Sequence, residues 1–404
     1  MQSILVLNCG SSSIKFALFG IRAGNTCEDT PFLSGNASRL NDPVRAAMQL
    51  AFAGESRTVS LPGGGHQAAL DAIGDVLCQY GLLQAICAVG HRVVHGGDRF
   101  RSPTRIDADA LADIEGCSAY APLHNPANLL GIRALMVLLP ERPQIAIFDT
   151  AFHGSLPPVA YRYGVPSAWY RDHGVRRYGF HGTSHEYIAT TLPGLLGCPP
   201  DEVRAVSAHL GNGCSLCAIR GGQSIDTSMG FTPLEGLMMG SRSGDLDPGL
   251  HEYLTQALGV DLQTLTRYLN RDSGLKGVSG VSNDMRACLQ AAADGHADAQ
   301  LAVELFCYRL AKAIAAYVVP LGRIGTLAFT GGIGENAAPV RARVIEHLQG
   351  LGFTLDTVAN ERADTAPRNV AASDSPPIWI IPAREEWVIA HQTAELISAT
   401  GSHR

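Results

Sequence analysis

Along this chain, short continuous apolar runs that end in glycine- and serine-rich turns alternate with longer stretches of helical period. Residues 4–7 and 14–19 read as two strands on either side of Asn8-Cys-Gly-Ser-Ser-Ser13. A Gly-rich loop, Leu61-Pro-Gly-Gly-Gly-His66, leads into a helical stretch over 67–80. Residues 85–89 form a buried strand that runs into Gly90-His-Arg-Val-Val-His-Gly-Gly97, and the strand at 144–148 ends in Asp149-Thr-Ala-Phe-His153. Strand and helix patterns alternating in this way predict an α/β architecture.

The opening pattern returns near Val206. Residues 205–210 form a strand, Gly211-Asn-Gly-Cys-Ser215 a tight turn and residues 216–219 a second strand. Two hairpins with polar, Gly-containing turns about 200 residues apart point to a duplicated domain with one phosphate-facing hairpin in each half. A helix predicted over 297–319 carries apolar residues at 301, 305, 306, 310, 314 and 317. It leads to a strand at 326–329 and a glycine turn, Gly331-Gly-Ile-Gly-Glu335. A last strand at 378–381 precedes a final helix. A length of 404 residues exceeds one ordinary core, and the expected domains are 1–152, with helix 386–404 packing back on it, and 153–385.

Composition narrows the function. The chain is 46% hydrophobic and 17% charged with a formal charge of −6, which gives no footprint for nucleic acid or an anionic membrane. No apolar window reaches the ~18 residues of a spanning helix, and the start lacks a signal-peptide pattern, so a cytoplasmic protein is expected. The 10 cysteines are scattered, as reduced thiols would be. Cys214-Ser-Leu-Cys217 lies in a strand-like run with no second pair, and reads as small buried residues rather than a zinc or redox motif.

Three turns at strand ends could hold phosphate through converging backbone N–H groups: 10–13, 211–213 and 331–334. No Walker motif exists, and the chain has only Lys15, Lys276 and Lys312. Lys15, just past the Ser-rich turn that ends at Ser13, could neutralise a phosphate oxygen or simply sit on the surface. Gly332-Ile-Gly-Glu-Asn-Ala337, with Asp356 roughly 20 residues on, imitates a dinucleotide fingerprint. Too little chain follows Asp356 to complete an NAD-dependent dehydrogenase domain.

Phosphoryl transfer needs donor and acceptor in line, with cations and hydrogen-bond donors around the moving group. Arg92 and Arg242 sit among glycines in apolar surroundings, where an idle guanidinium is costly, and either could grip an acceptor carboxylate or form a structural ion pair. His124, His181 and His209 lie in loops where a histidine is either a structural hydrogen-bonder or a catalyst. Asp149 and Glu385, each near a strand end, suit Mg²⁺.

Taken together these segments are specific. Val6-Leu-Asn-Cys-Gly-Ser-Ser-Ser-Ile-Lys15, Pro122-Leu-His-Asn-Pro126, Arg177-Tyr-Gly-Phe-His-Gly-Thr-Ser-His185, His209-Leu-Gly-Asn-Gly213, Asp226-Thr-Ser-Met-Gly-Phe-Thr-Pro-Leu-Glu-Gly236, Ser241-Arg-Ser-Gly-Asp-Leu-Asp-Pro248 and Phe329-Thr-Gly-Gly-Ile-Gly-Glu-Asn336, with the runs at 90–97 and 148–153, fall in order through most of the chain. In them the sequence resembles the acetate and propionate kinase family of the actin-like superfamily.

The resemblance implies two duplicated actin-like, ribonuclease-H-like domains with mixed sheets and an interdomain active-site cleft, and a homodimer. It implies Mg-dependent transfer (Mg²⁺ or Mn²⁺) of the ATP γ-phosphoryl group to acetate or another short acid, with no phosphoenzyme. A catalytically silent ATP-binding module is the non-enzymatic alternative, against which Arg92, Asp149, His181 and Arg242 all stand. Asn8 and Glu385 correspond to metal-site residues, Asp149 to the catalytic carboxylate, Arg92 and Arg242 to arginines flanking the acyl and phosphoryl groups, and His181 to the phosphoryl-stabilising histidine. His209, Leu210, Gly211, Asn212 and Gly213, with Asp284, Met285 and Arg286 and with Gly332, Ile333, Gly334, Glu335 and Asn336, correspond to ATP loops. Val94, Leu123, Phe180 and Pro233 correspond to the pocket for the acid's methyl group, and valine at 94 favours acetate over propionate. Two residues depart from the family's pattern. Cys9 replaces the usual alanine and could sensitise the ATP loop to oxidation, and Arg384 adds positive charge beside Glu385.

Overall fold

A computed structural model describes residues 2–22 and 26–401, with side chains described to 399; residues 402–404 of the expected last helix lie outside the described part. The chain forms two compact units, Met1–Phe152 with Arg384–Arg404, and His153–Ala383.

The first unit is built on an eight-stranded sheet. Its strands are β1 (Ser3–Cys9), β2 (Ser13–Gly20), β3 (Leu33–Ser38), β4 (Ala47–Phe52), β5 (Glu55–Ser60), β6 (Ile86–Val93), β7 (Thr104–Arg105) and β8 (Gln144–Phe148), in the order β5-β4-β3-β2-β1-β6-β8-β7. β1 to β5 form an antiparallel meander, while β6 and β8 run parallel to β1. Every residue of β1 is buried, because both faces of the sheet are covered. Leu5, Leu7 and Cys9 join the core with Ile73 and Leu77 of helix Gly65–Gln79. Ile4 and Val6 join the core with Ile389, Ala390 and Ala394 of helix Glu385–Gly401. The period of two along the strand thus divides one apolar run between two layers.

The second unit carries β9 (Arg204–Leu210), β10 (Cys214–Arg220), β11 (Gln223–Thr227), β12 (Thr326–Thr330), β13 (Arg368–Asn369) and β14 (Ile378–Ile380), in the order β11-β10-β9-β12-β14-β13. β9 pairs antiparallel with β10 and parallel with β12, and β12 parallel with β14. That is the pattern of β1 with β2, β6 and β8, so both units have one plan. The repeat read from two hairpins is a repeat of whole sheets.

Two expectations change in detail. Helix Ala297–Ala316 buries Ala299, Val303, Phe306, Leu310 and Ile314 but leaves Leu301 exposed, so its inner stripe is offset from the large apolar residues alone. The glycine turn at 331–335 is the helix Gly331–Asn336. Only Gly331 there has positive φ, and a Cβ on it would meet the Leu210 carbonyl oxygen at 2.8 Å. Among the described residues no helix is long and apolar enough to cross a membrane.

Candidate active site

In the first unit the candidate residues gather at the ends of β1, β6 and β8. β1 and β2 meet in a tight turn closed by Gly10 N–H donating to the Ser13 carbonyl at 2.8 Å. Asn8 lies directly across from Lys15 in the register, so the two share a face of the sheet. Ser13 opens β2, and Lys15 is exposed.

Arg92, near the end of β6, donates from Nε and Nη2 to the two oxygens of Asp149 at 2.8 and 2.6 Å, and from Nη1 to Asn8 Oδ1 at 3.3 Å. Burial alone would push this guanidinium down, but Asp149, with Glu385 and Glu386 behind it, holds it above its ordinary range. The Nε–Nη2 fork is therefore turned on Asp149, and the Nη1–Nη2 edge, shared with Asn8, is left for another anion. Glu385 and Glu386 begin helix Glu385–Gly401, where carboxylates complement the helix dipole despite the neighbouring Arg384.

The loop after β6 is held from below by helix Asn125–Leu138. Asn128 accepts from Val94 N–H at 3.0 Å and donates to the Cys9 carbonyl at 2.7 Å. One turn earlier, Asn125 accepts from His95 N–H at 3.0 Å. These asparagines tie the ends of β1 and β6 together, yet sequence reading passed over them; their i, i+3 spacing at a helix start was the available signal. His124 takes the N-cap position of that helix. Val94 is buried and Leu123 is 40% exposed. Cys9 is buried and its thiol is pushed up to about 12 by desolvation, so it is not the oxidation-sensitive group its position had implied.

In the second unit β9 and β10 meet in the equivalent turn, with Gly211 N–H donating to the Gly213 carbonyl at 3.0 Å. Asn212 of this turn accepts from Asn283 Nδ2 at 2.9 Å. A cavity of about 540 Å³ is lined by Gly211 and Asn212, by Asp284, Met285 and Arg286, and by Gly332, Ile333 and Asn336. It is of small-ligand size. Three segments distant in sequence thus share one cavity wall. Asp284 caps helix Met285–Ala293 through Arg286 N–H, and its side-chain bonds to Arg286 hold its carboxyl below the usual range.

The other residues of these loops lie outside the lining of that cavity. Leu210 and Gly334 are buried, and Glu335 accepts from Ala383 N–H at 2.9 Å. Beneath them, fully buried Arg341 donates to the carbonyls of Gly334, Glu335 and Asn360 and to Asn360 Oδ1 at 2.7–3.0 Å. Burial lowers its guanidinium to about 10. Asp356, the acid of the apparent dinucleotide fingerprint, N-caps helix Thr357–Glu361 by accepting from Ala359 N–H. It is a cap, and the dehydrogenase reading loses its ribose ligand.

Beside the turn, a Cβ placed on Gly213 would meet His181 Cε1 and Nε2 at 3.3 Å and Arg242 Nη1 at 3.5 Å, so imidazole and guanidinium converge over one glycine. Arg242 also donates to the Pro233 carbonyl at 3.0 Å. Gly274 braces its loop at φ +63°, where a Cβ would lie 2.2 Å from the Met239 carbonyl oxygen. His181 holds a left-handed conformation, φ 56°, at the N-cap of helix Gly182–Leu196. Arg39 and Ala53 are the other non-glycine residues with positive φ among the described residues. Phe180 is buried, and its carbonyl accepts from His153 Nε2 at 3.0 Å. Cys214 and Cys217 are buried, with desolvation pushing both thiols up to about 12, so this CxxC is structural.

Residues 3–391 match the acetokinase family. The chain belongs to that family. It is 50% identical over 397 residues to an acetate kinase of Deinococcus deserti, covering 98% of each chain. A solved Francisella tularensis propionate kinase superposes with TM-score 0.91 at 41% identity, over 98% of this chain and 100% of that one. A Porphyromonas gingivalis acetate kinase gives 0.89 at 38%, with the same coverage. The two sheets of one plan are the duplicated actin-like fold of these acetokinase structures.

Proposed function

We propose that this protein is an acetate kinase that transfers the γ-phosphoryl group of ATP reversibly to acetate, giving acetyl phosphate and ADP. The observation that carries the reading is the convergence of His181 and Arg242 over Gly213, in the same turn that lines the 540 Å³ cavity. A cavity for the nucleotide with a cation and a ring N–H beside it is what transfer of a phosphoryl group requires.

In this mechanism the turn at Gly211 and the helix start at Gly332 receive the nucleotide, and Arg242 balances charge on the transferring oxygens. His181 donates a hydrogen bond to them. Arg92, fixed by Asp149, presents Nη1 toward the acceptor acid. The chain's candidate donors to a metal, Asn8, Asp149 and Glu385, are all hard oxygen ligands. Among the described residues no group of three or more His, Cys, Asp or Glu could hold a metal ion. That set fits Mg²⁺, whose shell is normally completed by phosphate and water. When bound, Mg²⁺ supplies neutralisation of the phosphate oxygens. Transfer is direct, without a phosphoenzyme, in a cytoplasmic homodimer.

The test is acyl phosphate formation from MgATP and acetate, propionate or butyrate, trapped with hydroxylamine. Highest kcat/KM with acetate supports the reading. Highest activity with propionate keeps the chemistry and replaces the acid, and silence with all three from folded, ATP-binding protein refutes it.

A further inference from the structure

A hydrogen-bonded relay runs inward from His181. Its Nδ1 lies 2.8 Å from Ser215 Oγ, which lies 2.8 Å from His185 Nε2, while His185 Nδ1 lies 2.9 Å from Ser207 Oγ. Ser207, His185 and Ser215 are fully buried. The arrangement follows from two periods. Ser215 faces His209 across the β9–β10 pair and Ser207 lies two residues before His209, so the three share one face of otherwise apolar strands. His181 and His185 stand one turn apart on the helix packed there.

We infer that Ser207, His185 and Ser215 are positioning residues that fix His181 as the neutral tautomer with its proton on Nε2. Ser207 and Ser215 each have one hydroxyl proton, and neutral His185 has one ring proton. If Ser207 donates to His185 Nδ1, then His185 Nε2–H donates to Ser215, and Ser215 donates to His181 Nδ1. Every proton is used, and the proton of His181 stands on Nε2, the atom over Gly213. In the opposite direction His181 Nδ1–H donates to Ser215 and the chain ends on Ser207 as acceptor. Among the described residues Ser207 Oγ has no second hydrogen-bond partner, so its own proton is then stranded in the core. That cost biases the two states by about one to two orders of magnitude.

An imidazolium at His181 would also need the opposite direction, since both its nitrogens donate. The titratable or charged groups against His181 include His209 of β9, with ring centroids 4.3 Å apart, His185 through Ser215, and Arg242 over Gly213. Arg242 opposes a second positive charge. His185 is itself held neutral, chiefly by burial and then by His153 and His209. The relay thus keeps a donor, not a lone pair, facing the phosphoryl oxygens, and it rests on the function proposed above.

The test combines ring-¹⁵N histidine NMR on the whole protein, with His181 assigned through His181→Gln, and kinetics of Ser215→Ala. We expect His181 protonated at Nε2 and bare at Nδ1 across pH 6–8. We expect Ser215→Ala to lower kcat about 10- to 100-fold with KM for ATP little changed, and an acid limb to emerge near pH ~6.5 as His181 recovers an ordinary ionisation. His185→Gln, which returns an N–H near the Nε2 position, should retain more turnover than His185→Phe. His181 protonated at Nδ1 overturns the inference, as does folded Ser215→Ala with kcat within about twofold of wild type and an unchanged pH profile. A wild type that forms no acyl phosphate sinks the functional reading instead, and the NMR still decides the relay.

Discussion

The Arg92–Asp149 pair gives the sharpest energetic prediction. Asp149 is 1% exposed and Arg92 19%, and the guanidinium binds both carboxylate oxygens. Arg92→Met leaves a buried carboxylate without that fork, and removing one partner of such a pair costs about 3–5 kcal/mol. Asp149→Asn is milder, because Arg92 keeps the opposite charges of Glu385 and Glu386 and can still donate to an amide oxygen; about 1–3 kcal/mol is expected. The double variant should be less destabilised than the sum of the singles by about 2 kcal/mol, since neither charge is then stranded. Urea titration at fixed pH and salt gives the three free energies. For a unit of this size Arg92→Met should lower the melting temperature by about 6–20 °C. A loss below about 1 kcal/mol for Arg92→Met, or additive singles, would refute the argument. Loss of turnover in Arg92 variants must therefore be read beside their stability.

Three further outcomes follow from particular groups. Val94→Ala should move preference toward propionate by about tenfold or more in the ratio of kcat/KM values, since one methylene is worth about 1–3 kcal/mol; an unchanged ratio removes Val94 from the acid pocket. His91 and His153 are buried, and burial lowers each to about 4. The unfolded chain takes up their protons first as pH falls through about 6.5, so stability drops between pH ~6.5 and ~4 by about 1.4 kcal/mol per unit for each. Urea titrations at pH 7.5 and 5.0 check this, and equal stabilities would contradict it. Gly274→Ala should cost about 1–3 kcal/mol and lower turnover through the Arg242 loop, because its positive φ and the 2.2 Å approach to Met239 leave no room for a methyl group; wild-type turnover and unfolding midpoint would count against that.

How much was legible beforehand depended on whether the cause was local. Apolar runs between Gly-rich turns marked β1, β2, β8, β9 and β10 and their two hairpins, since strand period and turn chemistry act over a few residues. The motif order carried the family. It could not say where Arg92 spends its hydrogen bonds. That was decided when parallel pairing of β6 with β8 set Asp149 beside it, 57 residues away. Nor could it foresee that the 331–335 glycines form a helix over buried Arg341, or that Asp356 is a cap. His181 was visible as a motif residue, whereas the serines that orient it were small polar letters inside apolar strands. A hydroxyl acquires its meaning from the two nitrogens it lies between, and only the packing of helix Gly182–Leu196 on β9 and β10 brought those nitrogens to Ser215.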